Sequence, residues 1–264
     1  MTPPAQPRRG RTPEYWRTYL AEFHRRRPGI TAEVLEQSTN NRNTPYQWLV
    51  EQLPSQGPIV DVACGDAPLA AMLGARWIGI DRSPTELASG SARVDDGRMV
   101  LGEASALPFR SDCVDVAACS MALQILDPLD AVMTELGRIV GAGGRIGALV
   151  PCRSPLSIRD RWRYLRLALI VRDRLSAPND RQLVARSSNR RSLNAPTGLR
   201  ATFDEQRRFT YRIAEPSDAD RFVLSLYLPA TSARRVSAAR RLALRWVGTE
   251  IGIPIRLIVW EVDI

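Results

Sequence analysis

Ile59-Val60-Asp61-Val62-Ala63-Cys64-Gly65-Asp66-Ala67-Pro68, with Trp77-Ile78-Gly79-Ile80-Asp81 close behind it, is the stretch that decides the fold. Residues 59–62 are mostly apolar and β-branched, which is typical of a strand buried on both faces. The small residues at 63–67 let backbone approach a ligand, and Pro68 suits the first turn of a helix. Asp81 ends a second strand, where a carboxylate can accept both hydroxyls of a ribose. The stretch therefore predicts the first half of a nucleotide-binding α/β sheet.

The turn after the first strand differs from a dinucleotide fingerprint, which has three glycines spaced as G-x-G-x-x-G. Here Gly65 lies between Ala63 and Ala67, and Asp61 lies near the end of the strand. This pattern resembles the first motif of the class I S-adenosylmethionine-dependent methyltransferases: an acidic residue, an apolar residue, then small-x-Gly-x-small. The two alanines stand where the family usually has glycine, and alanine disfavours a positive φ. Taken alone, the motif also fits a strand-turn-helix that binds nothing.

Further segments repeat the resemblance in the family's order. Residues 102–109 resemble the third-strand segment and residues 114–120 the fourth strand. Asp127 and Pro128 predict the cap and first turn of a helix over 129–140, followed by a fifth strand over 145–150. Residues 207–213 and 255–262 are the candidates for the last two strands. The resemblance implies a Rossmann-like, doubly wound α/β sheet of seven strands, mostly parallel, with the last strand antiparallel and inserted beside the fifth.

The resemblance also implies a site for S-adenosylmethionine. Asp61 and the turn would shape its amino-acid end, Asp81 would bind the ribose, and Glu103 with Ala104 would read the adenine. Ser120 and Met121 would lie beside the methionine portion. The predicted cofactor-binding residues are Asp61, Ala63, Cys64, Gly65, Asp66, Asp81, Arg82, Glu103, Ala104, Ser120 and Met121.

The catalytic group is not assigned by the sequence. Gln124 stands where many relatives have histidine, and a neutral amide cannot take a proton, although it can orient an acceptor by hydrogen bonds. Residues 14–27 and 31–37 predict short helices, and Thr44 is expected to cap a third with Pro45 in its first turn. Tyr46 and Arg42 are candidate substrate contacts in this N-terminal part, whereas Trp48 is expected to pack in the core.

Composition agrees with a cytoplasmic enzyme that has no stable membrane insertion. The 264 residues include no signal-like start and no apolar run near 18 residues. The cysteines at 64, 113, 119 and 152 form no CxxC pair, and His24 alone cannot complete a metal site with them. We expect residues 1–44 to be a tail with a helical extension, 45–150 the cofactor-binding core, and 151–264 the rest of the sheet with arginine-rich cap elements, all in a single catalytic domain.

Charge is distributed unevenly along the chain. All 37 basic residues are arginine, and the net charge is +9. Residues 45–150 hold 7 Arg and 13 acidic residues, whereas residues 151–215 hold 15 Arg and 6 acidic residues. In this basic segment Ile158, Trp162, Leu165 and Leu169 follow helical spacing, which predicts a cap helix packed on the core with a solvated arginine face. The alternatives for this helix are a wall for an acidic or aromatic substrate, an RNA-binding face and a membrane-surface contact. Residues 176–201 are expected to form a loop.

We therefore expect a methyltransferase that uses S-adenosylmethionine and a small-molecule acceptor. The basic insert keeps an RNA acceptor open, although residues 118–121 lack the Asn/Asp-Pro-Pro-Tyr/Phe pattern of amino-directed nucleic-acid methyltransferases. A nicotinamide-dependent oxidoreductase and a protein that binds the cofactor without turnover are more distant alternatives. Neither the oligomeric state nor the methylated atom follows from the sequence.

Overall fold

The computed structural model describes residues 12–94, 97–172, 177–179 and 198–263. The helices are α1 Pro13–Arg26, α2 Ile30–Glu36, α3 Pro45–Glu51, α4 Ala70–Leu73, α5 Pro84–Gly90, α6 Leu129–Ile139, α7 Ile158–Val171, α8 Pro216–Leu224 and α9 Ala233–Leu244. The strands are β1 Ser38–Thr39, β2 Ile59–Val62, β3 Trp77–Asp81, β4 Met99–Leu101, β5 Val114–Ser120, β6 Val140–Pro151, β7 Leu199–Ile213 and β8 Thr249–Val262. The first eleven residues and most of the predicted loop at 176–201 lie outside the described residues.

One sheet contains the eight described strands, in the order β1-β7-β8-β6-β5-β2-β3-β4. The strands from β6 to β4 are mutually parallel, and β8 runs antiparallel between β6 and β7. The predicted place and direction of the last strand are therefore confirmed. The short β1, which pairs with β7, raises the strand number to eight. Strands β7 and β8 are longer than predicted, because they pair as one long ribbon from Leu199 to Ile213. Strand β6 is also longer than predicted and begins at Val140.

Helices cover both faces of the central strands. All four residues of β2 are buried, as predicted for a strand inside a doubly wound sheet. Helix α6 packs its buried side chains against one face, and α3 and α4 pack against the other. Thr44 caps α3 in a capping box, and Trp48 is fully buried in this layer, as expected.

A third cluster of buried side chains lies where β7 meets the later part of the chain. It joins Leu167 and Val171 of α7 to Phe222 of α8, Leu242 of α9 and Ile213 of β7. The arginine-rich part of the chain thus extends the sheet and adds three helices beside it. None of the helices in the described ranges is long and apolar enough to cross a membrane.

The predicted orientation of α7 is wrong. Ile158, Trp162, Leu165 and Leu169 are 75%, 61%, 48% and 67% exposed, so the apolar stripe faces away from the core. The opposite side of the helix is fixed to the sheet through the buried Asp160. Its carboxylate accepts hydrogen bonds from Ser157, from Arg208 and from the Gly252 backbone, and Leu167 and Val171 are buried on the same side of the helix.

Two helix starts also differ from the prediction. Helix α4 begins at Ala70 with Leu69 as its N-cap, so Pro68 lies before the helix in the loop. Helix α6 has Pro128 at its N-cap with no side-chain cap bond, so Asp127 does not cap it. In both places the chain continues its turn a residue or two longer than local preference predicts.

Candidate functional site

The loop after β2 is held against the end of β3 by backbone hydrogen bonds. The Gly65 amide donates to Oδ2 of Asp81 over 2.9 Å, and the Ser83 amide donates to Oδ1 over 2.8 Å. Burial raises the pKa of Asp81, although these two amides oppose the shift. Each carboxylate oxygen has a second lone pair, so Asp81 keeps the capacity to accept hydroxyls of a ligand.

The same loop has a left-handed backbone at alternate positions. The φ angles of Ala63, Gly65 and Ala67 are 57°, 56° and 65°. Met121, at the end of the neighbouring β5, has a φ of 56°. Such backbone costs free energy in residues with a Cβ, and it is found where a backbone must face a ligand. The alanines therefore adopt the glycine-like conformation despite their methyl groups.

Asp61 lies beneath the loop rather than in it. Its Oδ2 accepts a hydrogen bond from the Trp77 indole over 3.0 Å, while its Oδ1 has no partner among the described residues. Gly79 leaves room for this indole, because a Cβ there would lie 2.3 Å from the Trp77 ring. Burial raises the pKa of Asp61 to about 7, and the hydrogen bond from Trp77 only partly opposes the effect.

A cavity of about 610 Å³ opens at the carboxyl ends of β2, β3, β4 and β5. This is the size of cleft that binds a small molecule or cofactor, at the place where ligands bind in open α/β sheets. Most of the predicted cofactor-binding residues line it: Ala63, Cys64, Gly65, Asp66, Asp81, Arg82, Glu103, Ala104, Ser120 and Met121. Tyr46 lines it as well, whereas Asp61 is not among the lining residues.

Helices α1 and α2 close one side of this cavity through a buried carboxylate on α5. Oε1 of Glu86 lies 2.6 Å from Nδ1 of His24, and its Oε2 accepts the Gly29 amide over 2.9 Å. The other ring nitrogen of His24 lies 3.4 Å from the Tyr227 hydroxyl. Sequence reasoning missed these contacts. The signals were that His24 is the only histidine and that Glu86 follows Asp81 at the start of a helix.

Asp66 joins the N-terminal helices to the loop by a second ionic contact. Its carboxylate lies 3.0 Å from the Arg93 guanidinium, which also pairs with Glu36 of α2. Burial raises the pKa of Asp66 to about 6 against the opposing effect of Arg93. Position 29 favours glycine, because its φ is 73° and a Cβ there would lie 2.5 Å from the Asp66 carboxylate.

A second cavity of about 420 Å³ adjoins the first and has mainly apolar walls. Met121, Thr31 and Tyr227 line both cavities. The second cavity also contains the predicted substrate residue Gln124, whereas Arg42 is exposed and lines neither. Its apolar walls come from α2, α7, α8 and the middle of β8, and include Val34, Leu165, Phe222 and Ile253.

Unpartnered polar atoms lie on both sides of the junction at Met121. The Ser120 hydroxyl, in the first cavity, and Oε1 of Gln124, in the second, are buried without a hydrogen-bond partner among the described residues. A buried polar atom without a partner costs free energy, so such atoms indicate a place for a bound polar group. The Asp81 carboxylate and the Ser120 hydroxyl fit the ribose and the methionine end of a nucleoside-amino acid cofactor.

The described residues contain no cluster of three or more His, Cys, Asp or Glu side chains that could hold a metal. All four cysteines are free thiols. Cys64 and Cys119 are buried, and burial raises the pKa of the Cys64 thiol. The raised pKa favours the protonated thiol, which is a weaker nucleophile than the thiolate.

Comparisons with known proteins agree with this geometry. The methyltransferase domain family matches residues 60–148, about a third of the chain. A Bacillus halodurans C-125 protein assigned as a candidate methyltransferase has a similar fold. The TM-score is 0.55 at 12% identity, and the match covers 83% of this chain and 99% of that chain. A geranyl diphosphate methyltransferase, solved with geranyl diphosphate and sinefungin, gives a TM-score of 0.53 at 15% identity over 94% of this chain and 99% of that chain.

The 4+2 cyclase SpnF has the same fold, with a TM-score of 0.52 at 16% identity over 86% of each chain. At such identities the likeness concerns the fold, and a fold by itself does not fix a reaction. No curated protein matches the sequence. The matched segment contains the loop at 63–67, Asp81, Glu103 and Ser120, so residues 60–148 match the methyltransferase domain family and the chain has the class I S-adenosylmethionine-dependent methyltransferase fold.

Proposed function

We propose that this protein transfers the methyl group of S-adenosylmethionine to a small, largely apolar acceptor. The observation that carries the proposal is the junction of two cavities at Met121, one lined by the methyltransferase motif and the other by apolar side chains. A cofactor in the first cavity and an acceptor in the second would meet at this residue.

In the first cavity, Asp81 would accept the ribose hydroxyls and the left-handed loop would direct backbone amides at the cofactor. Glu103 and Ala104 would contact the adenine, and the Ser120 hydroxyl would pair with the methionine end. The sulfonium of S-adenosylmethionine supplies an already activated methyl group. The main tasks of the chain are then to position the acceptor in line and to exclude water.

The second cavity favours a small acceptor over RNA. Its walls are mainly aliphatic and aromatic, and its few polar groups include Gln124, Tyr227 and Arg153. Such a lining binds an apolar body and fixes its orientation through a few hydrogen bonds. We infer that Gln124 orients the acceptor through its unpartnered Oε1, since its amide nitrogen already donates to the Met121 carbonyl.

Proton removal from the acceptor, where it is needed, would involve His24. Glu86 holds Nδ1 of His24, the Tyr227 hydroxyl lies 3.4 Å from Nε2, and Tyr227 also lines the second cavity. We therefore propose Tyr227 as the contact to the acceptor and His24 as the base behind it: the Tyr227 oxygen takes the acceptor's proton as the Tyr227 hydroxyl proton passes to Nε2 of His24. The His24→Gln variant should lower kcat for acceptors that lose a proton. An unchanged kcat would remove His24 from the mechanism.

Cofactor binding tests the first half of the proposal. Calorimetry should show binding of S-adenosylmethionine and S-adenosylhomocysteine but not of NAD. The Asp81→Asn variant should lose about 1–3 kcal/mol of cofactor affinity, because charge-assisted hydrogen bonds to the ribose are weakened. Asp130→Asn, on the exposed first turn of α6, is the matched control and should bind normally. Tight NAD binding without S-adenosylhomocysteine binding would contradict the assignment.

Label transfer tests the second half of the proposal, which is methyl transfer to a small acceptor. Methyl-tritiated cofactor is incubated with the protein and a fractionated cell extract, and the label should enter an organic-extractable small molecule. Phe222→Ala enlarges the second cavity and should change which acceptor fractions are labelled while leaving S-adenosylhomocysteine affinity unchanged. Specific label transfer to ribosomal RNA would replace the small-molecule acceptor by RNA. Cofactor binding without label transfer to any fraction would instead indicate a binding protein.

A further inference from the structure

We propose that the exposed face of α7 docks the protein on the surface of an anionic lipid membrane, without crossing it. The proposal concerns a surface and stands independently of the proposed methyl transfer. It starts from the finding that the apolar stripe of α7 faces outward.

The stripe forms one narrow band along the whole helix. At about 100° per residue, Ile158, Trp162, Leu165 and Leu169 fall within a sector of roughly 60°. The buried Asp160, Leu167 and Val171 lie on the opposite side of the helix. Among the eight large apolar side chains of the described residues that are exposed, four belong to this one band. A contiguous apolar patch of this kind marks an interaction site rather than ordinary surface.

Arginines border the band on both sides. Arg159 and Arg166 flank one edge and Arg161 the other, and all three are exposed. None of them forms an ion pair with a described residue, and the only acidic residue of α7, Asp160, is buried on the far side. An apolar band between rows of long cationic side chains is the pattern of helices that lie in a membrane interface. The arginines would reach the phosphates while the band enters the acyl boundary.

The arginines beside the apolar band favour an anionic lipid surface over other partners for this face of α7. A second copy of the chain would bring the same unpaired arginine rows together across the band. RNA would pair with the arginines but would leave the four apolar side chains without a partner. An anionic bilayer satisfies both parts of the face at once.

The docking face also touches the second cavity. Leu165 belongs to the band and lines that cavity, together with Tyr164 and Ala168 of the same helix. A membrane beneath α7 would therefore lie beside the apolar cavity. This position would suit an apolar acceptor dissolved in the bilayer, a corollary that rests on the proposed function.

Trp162 provides a selective probe of the contact. The other five tryptophans, at positions 16, 48, 77, 246 and 260, are at most 5% exposed, whereas Trp162 is 61% exposed. Vesicles of phosphatidylcholine with about one third phosphatidylglycerol should shift its emission to the blue, and brominated lipid should quench it. Vesicles of phosphatidylcholine alone should bind at least tenfold more weakly, and salt should weaken binding to the anionic vesicles.

Variants locate the contact. Ile158→Glu with Leu169→Glu keeps Trp162 and alters only exposed positions, so it should fold normally and bind anionic vesicles at least tenfold more weakly. Arg159→Gln with Arg166→Gln should lose most of the preference for anionic lipid. The matched control is Met72→Glu with Leu244→Glu, which puts the same two charges on exposed apolar positions of α4 and α9 and should not change vesicle binding.

Three results would overturn the proposal. The first is no vesicle binding by the unaltered protein. The second is equal binding by the Ile158→Glu, Leu169→Glu variant. The third is concentration-dependent burial of Trp162 without lipid, with a dimer in light scattering that the variant abolishes, since that would assign the face to a second copy. Methyl transfer to a water-soluble acceptor would not bear on membrane docking. Failure of the docking proposal and failure of the proposed function are therefore distinguishable.

Discussion

Single residues in the loop after β2 carry backbone strain where they line the first cavity. Ala63 has a φ of 57° although it has a Cβ, and it lines the first cavity. The neighbouring Asp61 is buried with one oxygen unpartnered. Both features cost stability and lie beside the proposed cofactor site, where such costs are commonly found.

Replacing Ala63 by glycine should stabilise the protein by about 0.5–1 kcal/mol. Glycine removes the left-handed strain of about 1–2 kcal/mol but restores some entropy to the unfolded chain. Urea denaturation measures the change. Ala88→Gly, at an exposed position of α5, is the opposite-sign control and should cost about 0.5–1 kcal/mol. Destabilisation by Ala63→Gly would show that the loop is not left-handed at this position.

Asp61 should make stability fall as the pH rises from about 4 to 7. Its pKa is raised in the folded protein to about 7 from 3.8, so the folded state binds more protons in this range and unfolding becomes easier as they leave. Through this group, the free energy of unfolding falls by up to ~1.4 kcal/mol for each pH unit between the two pKa values. Denaturation at pH 5 and pH 8 should show a smaller loss for Asp61→Asn than for the unaltered protein. Equal losses would mean that Asp61 is ionised without penalty.

At the scale of elements, buried carboxylates hold whole helices in place. Glu86 of α5 binds His24 of α1 and the Gly29 amide at the start of α2. Asp160 fixes α7 to β7 and β8 through Arg208 and Gly252. The first closes one side of the first cavity, and the second holds the side of α7 that lies opposite its apolar band.

The Glu86→Gln variant should lose about 1–3 kcal/mol of stability, because an amide nitrogen, which cannot accept a hydrogen bond, replaces one buried carboxylate oxygen. It should also bind S-adenosylhomocysteine more weakly, since α1 and α2 line the cavity. Chemical denaturation and calorimetry check the two effects. Glu22→Gln on the exposed side of α1 is the control and should change neither stability nor S-adenosylhomocysteine binding.

The Asp160→Asn variant tests the anchor of α7. Burial alone would raise the pKa of Asp160, but hydrogen bonds from Arg208, Ser157 and Gly252 lower it to about 2. The folded pKa is below the unfolded value of 3.8, so the stabilisation is present above pH 4 and disappears as the pH falls toward 2. The variant should lose roughly 1–3 kcal/mol at pH 7 and little at pH 2.5. A loss independent of pH would point to packing rather than charge.

For the whole molecule, the sheet carries both cavities along one edge. The first is formed by the parallel half of the sheet with the N-terminal helices, and the second by β8 with helices from the later part of the chain. Ligand binding should therefore stabilise elements distant in sequence together.

S-adenosylhomocysteine at about 100 times its Kd should stabilise the folded state by about 2.7 kcal/mol. For a chain of this size that corresponds to a rise in Tm of roughly 5–10 °C. Differential scanning fluorimetry measures it, and NAD at the same concentration should leave the Tm unchanged. A rise with NAD alone would contradict the cofactor assignment.

The sequence by itself determined the α/β sheet, the place of its last strand and most of the residues that line the first cavity. These features depend on short-range patterns, namely apolar strands, a small-residue turn and acidic residues at strand ends. The tertiary structure alone decided the outward face of α7, the Glu86–His24 contact and the junction of the cavities at Met121. Helical spacing identifies an apolar face but not its partner, and the buried contacts of Asp160 join residues up to 92 positions apart. No local pattern reports such contacts.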